Sequence, residues 1–506
     1  MNEDTRPIRD PGSRTRDLGL VIGMLIALIV YGALGPGTGL NEDARRLGAI
    51  VALMACWWVT EAIPLAATAL VPIIAFPVLG ILPIDQTAAP YAHKLIFLFM
   101  GGLMLGAGLE RWGAHKRLAL HVILVVGTSP RRIIAGVMLA SAILSAFVSN
   151  TATAMMMLPI VLSIGDLAAG DNPDTRDARR FTACLLLALA YGCSIGGLAT
   201  LTGTPPNGFL AGFLDQEFGI ELSYARWLRF GVPLTVVLLP LSWVYLVFVA
   251  LPVRIGGVPG GRAVIRARLN TLGRITTPEL LACSIFAITA LMWITHGWIE
   301  DALGLPRIDD ATIAIGGALL MFALPTDRSL QTRVLSWKHA ERIPWGILIL
   351  FGGGLALAQG VTRTGLDAWI GAQIGGAGNP GELPLVGGVT TLVVFLTEIT
   401  SNTATTSTML PVLAAVAEGL HIDPTLLLIA TAVSASCAFM LPVATPPNAI
   451  VFSSGRISIR QMAIAGFGLN LVCIAVITLM VWGLAPRLLD LPPAVPQQSA
   501  TSQTTE

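Results

Sequence analysis

Charge is what this sequence has least of. Only 12% of its 506 residues are Asp, Glu, Lys or Arg, while 54% are hydrophobic and the mean hydropathy is +0.75. Soluble domains carry about twice that charged fraction, so a water-soluble globule is excluded and lipid is the solvent for most of the chain. A net charge of +1 leaves no bulk basic or acidic surface, and nucleic acid is not an expected partner. The six cysteines (Cys56, Cys184, Cys193, Cys283, Cys437, Cys473) stand singly with no Cys-x-x-Cys pair, and they read as packing residues rather than metal ligands or disulfides. The first apolar run lacks a small-residue cleavage site, which favours an uncleaved first helix over a signal peptide.

What is abundant is apolar length. The runs 18–34, 47–60, 65–82, 232–251 and 462–484 are long enough, or nearly so, for spans of roughly 20 residues. Basic residues set the orientation, because Lys and Arg concentrate in cytoplasmic loops. They cluster before the first run (Arg6, Arg9, Arg14, Arg16), at Arg111–Arg132, in an acid-free stretch from Arg254 to Arg274, before Pro344, and at Arg456 and Arg460. All of these clusters can be cytoplasmic only if the apolar segments 133–165 and 383–416 each enter and leave on one side. The expected fold is therefore an all-α polytopic inner (plasma) membrane protein of about eleven transmembrane helices plus two re-entrant helical hairpins, with a cytoplasmic N-terminus and an outside C-terminus.

The two hairpins belong to an internal repeat. Phe99-Met-Gly-Gly-Leu103 returns 252 positions on, from 99 to 351, as Phe351-Gly-Gly-Gly-Leu355. The same displacement carries Ser149-Asn150-Thr151 onto Ser401-Asn402-Thr403, and Pro159 onto Pro411. Thr204-Pro-Pro-Asn207 then returns as Thr445-Pro-Pro-Asn448. One copy starts from a cytoplasmic loop with its hairpin facing in and the other hairpin faces out, so the topology is inverted. That is the architecture of alternating-access transporters, whose sites lie at the repeat interface near the midplane. The expected organisation is a polar cytoplasmic tail at 1–16 and a first repeat at 17–252, with its inward hairpin at 133–165 and a broken helix at 181–212. A basic cytoplasmic loop at 253–275 follows. The second repeat runs over 276–486, with an outward hairpin at 383–416 and a broken helix at 426–453, and a disordered outside tail occupies 487–506.

The repeated landmarks are polar residues in apolar surroundings. Two prolines in a row remove two backbone donors and clash with the preceding turn, so each Pro-Pro-Asn predicts a break, at 196–204 and at 442–445. A single kink could be filled by neighbouring helices, but two at equivalent positions point to a site, since irregular backbone at membrane depth survives where it lines a cavity. The Ser-Asn-Thr tips could serve only their own turns. They also lie where helix N-termini present unpaired N–H groups to an anion. Donors from Ser149, Asn150, Thr151, Ser401, Asn402 and Thr403 can hold a carboxylate without an Arg, and freed carbonyls and hydroxyls suit Na+. Ser145 and Thr397 occupy equivalent places one turn before each tip, so each hairpin can offer an oxygen cage. Glu398 is the one acid beside the tips. It reads as either an ion-linked carboxylate or a buried structural hydrogen-bonding group, and Ala146 at its counterpart position favours the latter. Glu61 reads as interfacial. No His or metal motif accompanies Glu398, so general acid–base catalysis has no team and an enzyme is not expected. An anion channel is disfavoured by two closed tips.

The segment Ala435-Ser-Cys-Ala-Phe439-Met-Leu-Pro442-Val-Ala-Thr445-Pro-Pro-Asn448-Ala-Ile-Val451, with the two Ser-Asn-Thr tips and two Thr-Pro-Pro-Asn breaks, resembles the divalent anion:sodium symporter family of sodium–dicarboxylate/sulfate carriers over roughly 17–486. The resemblance implies a homodimer whose transport domain moves as an elevator, with Na+ as coupling ion and a small dicarboxylate as substrate. Substrate would meet Ser149, Asn150, Thr151, Ser401, Asn402, Thr403, Thr445 and Pro446. One Na+ would use Ser145, Ser149, Asn150 and a backbone carbonyl near Ala199; the other would use Thr397, Thr400, Asn402 and the carbonyl of Ala444. Leu198-Ala199 stand where citrate-preferring members are expected to carry a more polar, Gly-containing pair, which favours four-carbon dicarboxylates of the succinate, malate and fumarate class. The alternatives within the family are sodium-independent dicarboxylate exchange and a sulfate or tricarboxylate carrier.

Overall fold

The computed structural model describes residues 13–169, 175–255, 261–304, 308–327, 330–374 and 381–492. Among them the secondary structure is helical, with one isolated bridge between Pro325 and Arg333. Eight described helices are long and apolar enough to cross a membrane. Their ends are set by capping side chains that satisfy the first free N–H groups. Asn41 accepts from Ala44 N at the start of Glu42–Thr60, while Thr276/Glu279 and Ser458/Gln461 form full capping boxes before Thr277–Leu303 and Ile459–Gly483.

Two long helices, Lys94–Trp112 and Trp345–Thr364, carry the repeated Phe-x-Gly-Gly-Leu landmark and meet through Phe99 and Phe351, whose ring centroids are 4.8 Å apart. Their glycines allow close crossing. A Cβ on Gly101 would stand 2.6 Å from the Ala314 backbone, and one on Gly353 would stand 2.2 Å from the Ala69 carbonyl oxygen. The landmark is thus a packing signature, used the same way in each repeat.

Each hairpin is a pair of helices, Pro130–Ser145 with Asn150–Ala169, and Glu382–Leu396 with Asn402–Gly419. Each broken helix has two halves, Arg176–Gly197 with Pro205–Phe218, and Thr425–Ala435 with Pro446–Ser453. The first half of each packs against both arms of its own hairpin. The second half crosses over: Pro205–Phe218 packs on Asn402–Gly419, and Pro446–Ser453 packs on Asn150–Ala169. This exchange brings tips and breaks of both repeats together.

Two local features differ from expectation. The second break opens earlier than Pro442, because Thr425–Ala435 ends at Ala435 and the chain runs without helix from 437 to 441 before a turn at 442–444. The cause is Glu398, whose carboxylate accepts the N–H groups of Phe439, Met440 and Leu441, so those donors need no helical partner. The basic stretch 253–275 also contains a helix, Gly261–Thr271, whose Gly261 and Ile265 are buried. Of the two expected tails, residues 1–12 and 493–506 lie outside the described residues; the first helix begins at Ser13, and Ala485–Leu489 is a short helix.

Candidate functional site

Between the two tips lies a cavity of about 1000 Å³. Ser149, Asn150, Thr151, Ser401, Asn402, Thr403, Thr445 and Pro446 all line it, with Thr204, Pro205, Thr400 and Ala444 beside them. Four helices begin at its wall: Asn150–Ala169, Pro205–Phe218, Asn402–Gly419 and Pro446–Ser453. The positive dipole ends of all four converge on one space, and the two tip helices, which do not start on proline, add free N–H groups there, a setting for an anion. Among the described residues, Glu61 is the one ionisable side chain in the lining, and no Lys, Arg or His belongs to it. Exposed Val59, Thr60, Glu61, Pro64 and Pro344 place the mouth beside the end of Glu42–Thr60 and the start of Trp345–Thr364. Glu61 ends its helix in the left-handed region, φ 46°, with Ala62 N donating back to the Trp57 carbonyl.

At the first tip, the buried Ser145 hydroxyl donates to Asn150 Oδ1, and Ser149 Oγ accepts from Ala152 N at 3.2 Å. The break is tied to the tip by Thr200, whose hydroxyl donates to the Ala146 carbonyl. Gly197 lies next to Asn150: a Cβ there would stand 3.3 Å from Asn150 Oδ1 and 3.0 Å from the Gly203 carbonyl oxygen. Ala199 does not line the cavity, and its carbonyl oxygen would be 2.7 Å from a Cβ on Gly231. The structure therefore brings Ser145, Ser149 and Asn150 together and sets the Ala199 carbonyl against the Tyr224–Val244 helix.

At the second tip, Thr397 Oγ1 lies 2.7 Å from Asn402 Oδ1 and 2.8 Å from the Ala435 carbonyl oxygen. A hydroxyl has one proton and cannot fully serve both, so three oxygens stand ready to share a cation. Thr400, which also lines the cavity, donates to the Leu396 carbonyl at 2.8 Å and meets Thr405 Oγ1 at 2.5 Å. Ala444 ends the turn that leads into Thr445, which caps Pro446–Ser453 by accepting from Asn448 N. Glu398 is buried and accepts from three backbone N–H groups and from Asn470 Nδ2 at 2.8 Å. Of its two sequence readings, the structural one fits this saturation.

Asn207, Asn448 and Thr204 were marked by the repeat but given no role of their own from sequence. Asn207 Nδ2 donates to the Gly197 and Thr200 carbonyls, and Asn448 Nδ2 donates to those of Ala438 and Leu441. Each Asn thus clasps both edges of its break, which explains why the residue after Pro-Pro returns in both copies. Thr204 Oγ1 meets Ser436 Oγ at 3.2 Å, joining one break to the other. The repetition of Pro-Pro-Asn was the available signal for the two asparagines; nothing in the sequence paired Thr204 with Ser436.

Among the described residues, a helical membrane chain gathers four helix starts and two polar tips around an internal cavity, the arrangement of a solute transporter. The sodium:sulfate symporter transmembrane region family matches residues 14–486. A sodium-dependent dicarboxylate transporter, SdcS, of Staphylococcus saprophyticus is 42% identical over 480 residues, 94% of this chain and 92% of that protein. The protein of the same name from Staphylococcus aureus USA300 is 41% identical over 489 residues, 96% of this chain and 94% of its own. Two solved structures share the fold: the YdaH transporter of Alcanivorax borkumensis (TM-score 0.53, 16% identity, 96% of this chain and 100% of that one) and MtrF of Neisseria gonorrhoeae (TM-score 0.56, 13% identity, 97% and 98%). The chain belongs to the sodium:sulfate symporter family, also called the divalent anion:sodium symporters.

Proposed function

We propose that this chain is a Na+-coupled secondary transporter that imports a four-carbon dicarboxylate by an elevator movement of its hairpins and broken helices. The observation that carries the reading is the cavity itself, with four helix starts and two hydroxyl-amide tips but no basic side chain in its wall. A dianion leaving water there meets only partial charges, which do not repay its desolvation; cations bound beside each tip supply the missing charge. A dicarboxylate offers one carboxylate to each tip. Na+ sits in the oxygen cages, one built from Ser145, Ser149, Asn150 and a carbonyl of the first break, the other from Thr397, Asn402, Thr400 and the Ala444 carbonyl. Substrate meets Ser149–Thr151, Ser401–Thr403, Thr445 and Pro446. The sodium-dependent dicarboxylate transporters to which the chain is 41–42% identical support both ion and substrate class.

About eleven spans, a cytoplasmic N-terminus, an outside C-terminus and a homodimeric assembly complete the proposal. In that orientation the mouth by Glu61 and Pro344 faces the cytoplasm, and the chain is in its inward-open state. Uptake of labelled succinate into proteoliposomes tests the function. A Na+ gradient should drive accumulation above equilibrium. Equal uptake with Na+ and choline, coupled to loss of internal dicarboxylate, would instead establish the exchanger.

A further inference from the structure

Far from the tips, the helix Pro205–Phe218 ends in three consecutive polar residues, Asp215, Gln216 and Glu217, and each is bonded to one of the two long helices. Asp215 Oδ2 lies 3.2 Å from His93 Nε2 and 3.3 Å from Lys94 Nζ, at the start of Lys94–Trp112. Gln216 Nε2 donates to the Leu355 carbonyl at 2.9 Å, and Glu217 Oε2 accepts from the Thr362 hydroxyl at 2.6 Å, both on Trp345–Thr364. Thr362 stands at the opposite end of that helix from Gly346 and Ile347, which line the cavity near its mouth. The polar run is therefore on the closed side.

The second repeat has no such run. The displacement that carries Pro205-Pro-Asn207 onto Pro446-Pro-Asn448 carries Asp215, Gln216 and Glu217 onto Arg456, Ile457 and Ser458. Arg456 pairs with Asp166 of the first hairpin at 3.1 Å, and Ser458 caps the helix that follows. Among the described residues, none of the three has a hydrogen bond or ion pair to either long helix. One end of the hairpin-and-broken-helix unit is thus fastened to the long helices by side chains, and the end on the side of the mouth is not.

We propose that Asp215, Gln216 and Glu217 form a latch. They hold that unit against the two long helices while the cavity is open at the Pro344 end, and they release when the unit moves to open the cavity on the other side. A second cavity of about 230 Å³, lined by Glu217, Thr362, Asp367, Glu418 and His421 among others, adjoins the Glu217–Thr362 contact and leaves open space beside it for the release. The inference rests on the carrier reading only in that the unit moves; neither Na+ nor the anion enters it.

The test reads the position of the unit directly. In a background with the six native cysteines replaced, a single cysteine is placed at Ile399, which lines the cavity and is 64% exposed. It is labelled with a membrane-impermeant thiol reagent from each face of sealed vesicles, without Na+ or substrate. Thr362→Val removes the donor to Glu217 and keeps the size of the side chain; Asp215→Asn removes the charge facing His93 and Lys94. Both should raise the ratio of latch-side to mouth-side labelling at least threefold. Thr362→Ser, which keeps the hydroxyl, should give the parent ratio, as should Arg456→Ala at the equivalent place in the other repeat. An unchanged ratio in both Thr362→Val and Asp215→Asn overturns the latch, and so does a Thr362→Ser variant that behaves like Thr362→Val. Since no transport is measured, a chain that failed to carry dicarboxylate would still report on the latch, and an unchanged ratio in a chain that carries succinate rejects the latch alone.

Discussion

The two tip-and-break pairs are built alike but held together differently. In the first repeat, the break is fastened to its hairpin by neutral contacts, chiefly the Thr200 hydroxyl on the Ala146 carbonyl. In the second, the residue at the Ala146 position is Glu398, and its buried carboxylate gathers the N–H groups of Phe439, Met440 and Leu441 with the Asn470 amide. Hydrogen bonds to a charged acceptor are roughly twice as strong as neutral ones. On the proposed function, we therefore expect the second unit to hold its shape without an ion and the first to rely more on the ion to draw tip and break together. An inverted repeat fixes where oxygens stand; it does not oblige both copies to be equally stiff.

The largest expected effect breaks the stiff side. Glu398→Ala takes the acceptor from three backbone donors, that of buried Phe439 and those of half-buried Met440 and Leu441; a buried donor left unsatisfied costs about 1–3 kcal/mol. Thermal melting of the purified protein in detergent should drop by several degrees or the folded fraction should vanish, and Glu398→Gln, which keeps one acceptor oxygen, should fall between the two. A melting temperature equal to that of the parent for Glu398→Ala would remove the basis of the comparison.

Next in size are the tips. Asn150→Ala and Asn402→Ala each remove a donor and a cage oxygen, at about 1.5–3 kcal/mol for a bond to a charged group, or tenfold and more in half-saturation. Both should fold. If the first pair is the more ion-dependent, Asn150→Ala should raise the Na+ requirement for succinate uptake further than Asn402→Ala does. The reverse order would invert the account.

Gly197→Ala is the finer probe. Its new Cβ would stand 3.3 Å from Asn150 Oδ1 and 3.0 Å from the Gly203 carbonyl oxygen, tight enough to crowd the first cage without filling the main cavity. A rise in the Na+ half-saturation by a few fold is expected, with succinate half-saturation at saturating Na+ nearly unchanged. The smallest effect belongs to the exposed Arg456–Asp166 pair: Arg456→Ala should change stability by less than about 1 kcal/mol, read as a melting shift of a degree or two.

Much of this site was legible because its polar residues stand against an apolar background twice, in the same order. Ser149-Asn150-Thr151 and Ser401-Asn402-Thr403 announced the tips, and the proline pairs announced the breaks. Other parts were hidden for physical reasons. The earlier opening of the second break depends on Glu398 reaching residues 41 to 43 positions away, and local pattern carries no trace of such a bond. Carbonyl direction is likewise a property of the folded backbone, so sequence could point near Ala199 but not show that its oxygen is set against Gly231. The helix Gly261–Thr271 was hidden inside a basic stretch whose charges spoke for orientation and not for local structure. Asp215, Gln216 and Glu217 belong to no repeated landmark in the sequence, and only the placement of the long helices beside them gives them their partners.

On the proposed function, a wall without a basic side chain needs bound Na+ before it can receive a dianion. Calorimetry of succinate binding to the purified protein, in NaCl and in choline chloride at equal ionic strength, measures this directly. Binding in NaCl is expected to weaken at least tenfold in choline, with succinate tightening Na+ binding by the same factor, as linkage requires. Equal succinate affinity in the two salts would contradict it.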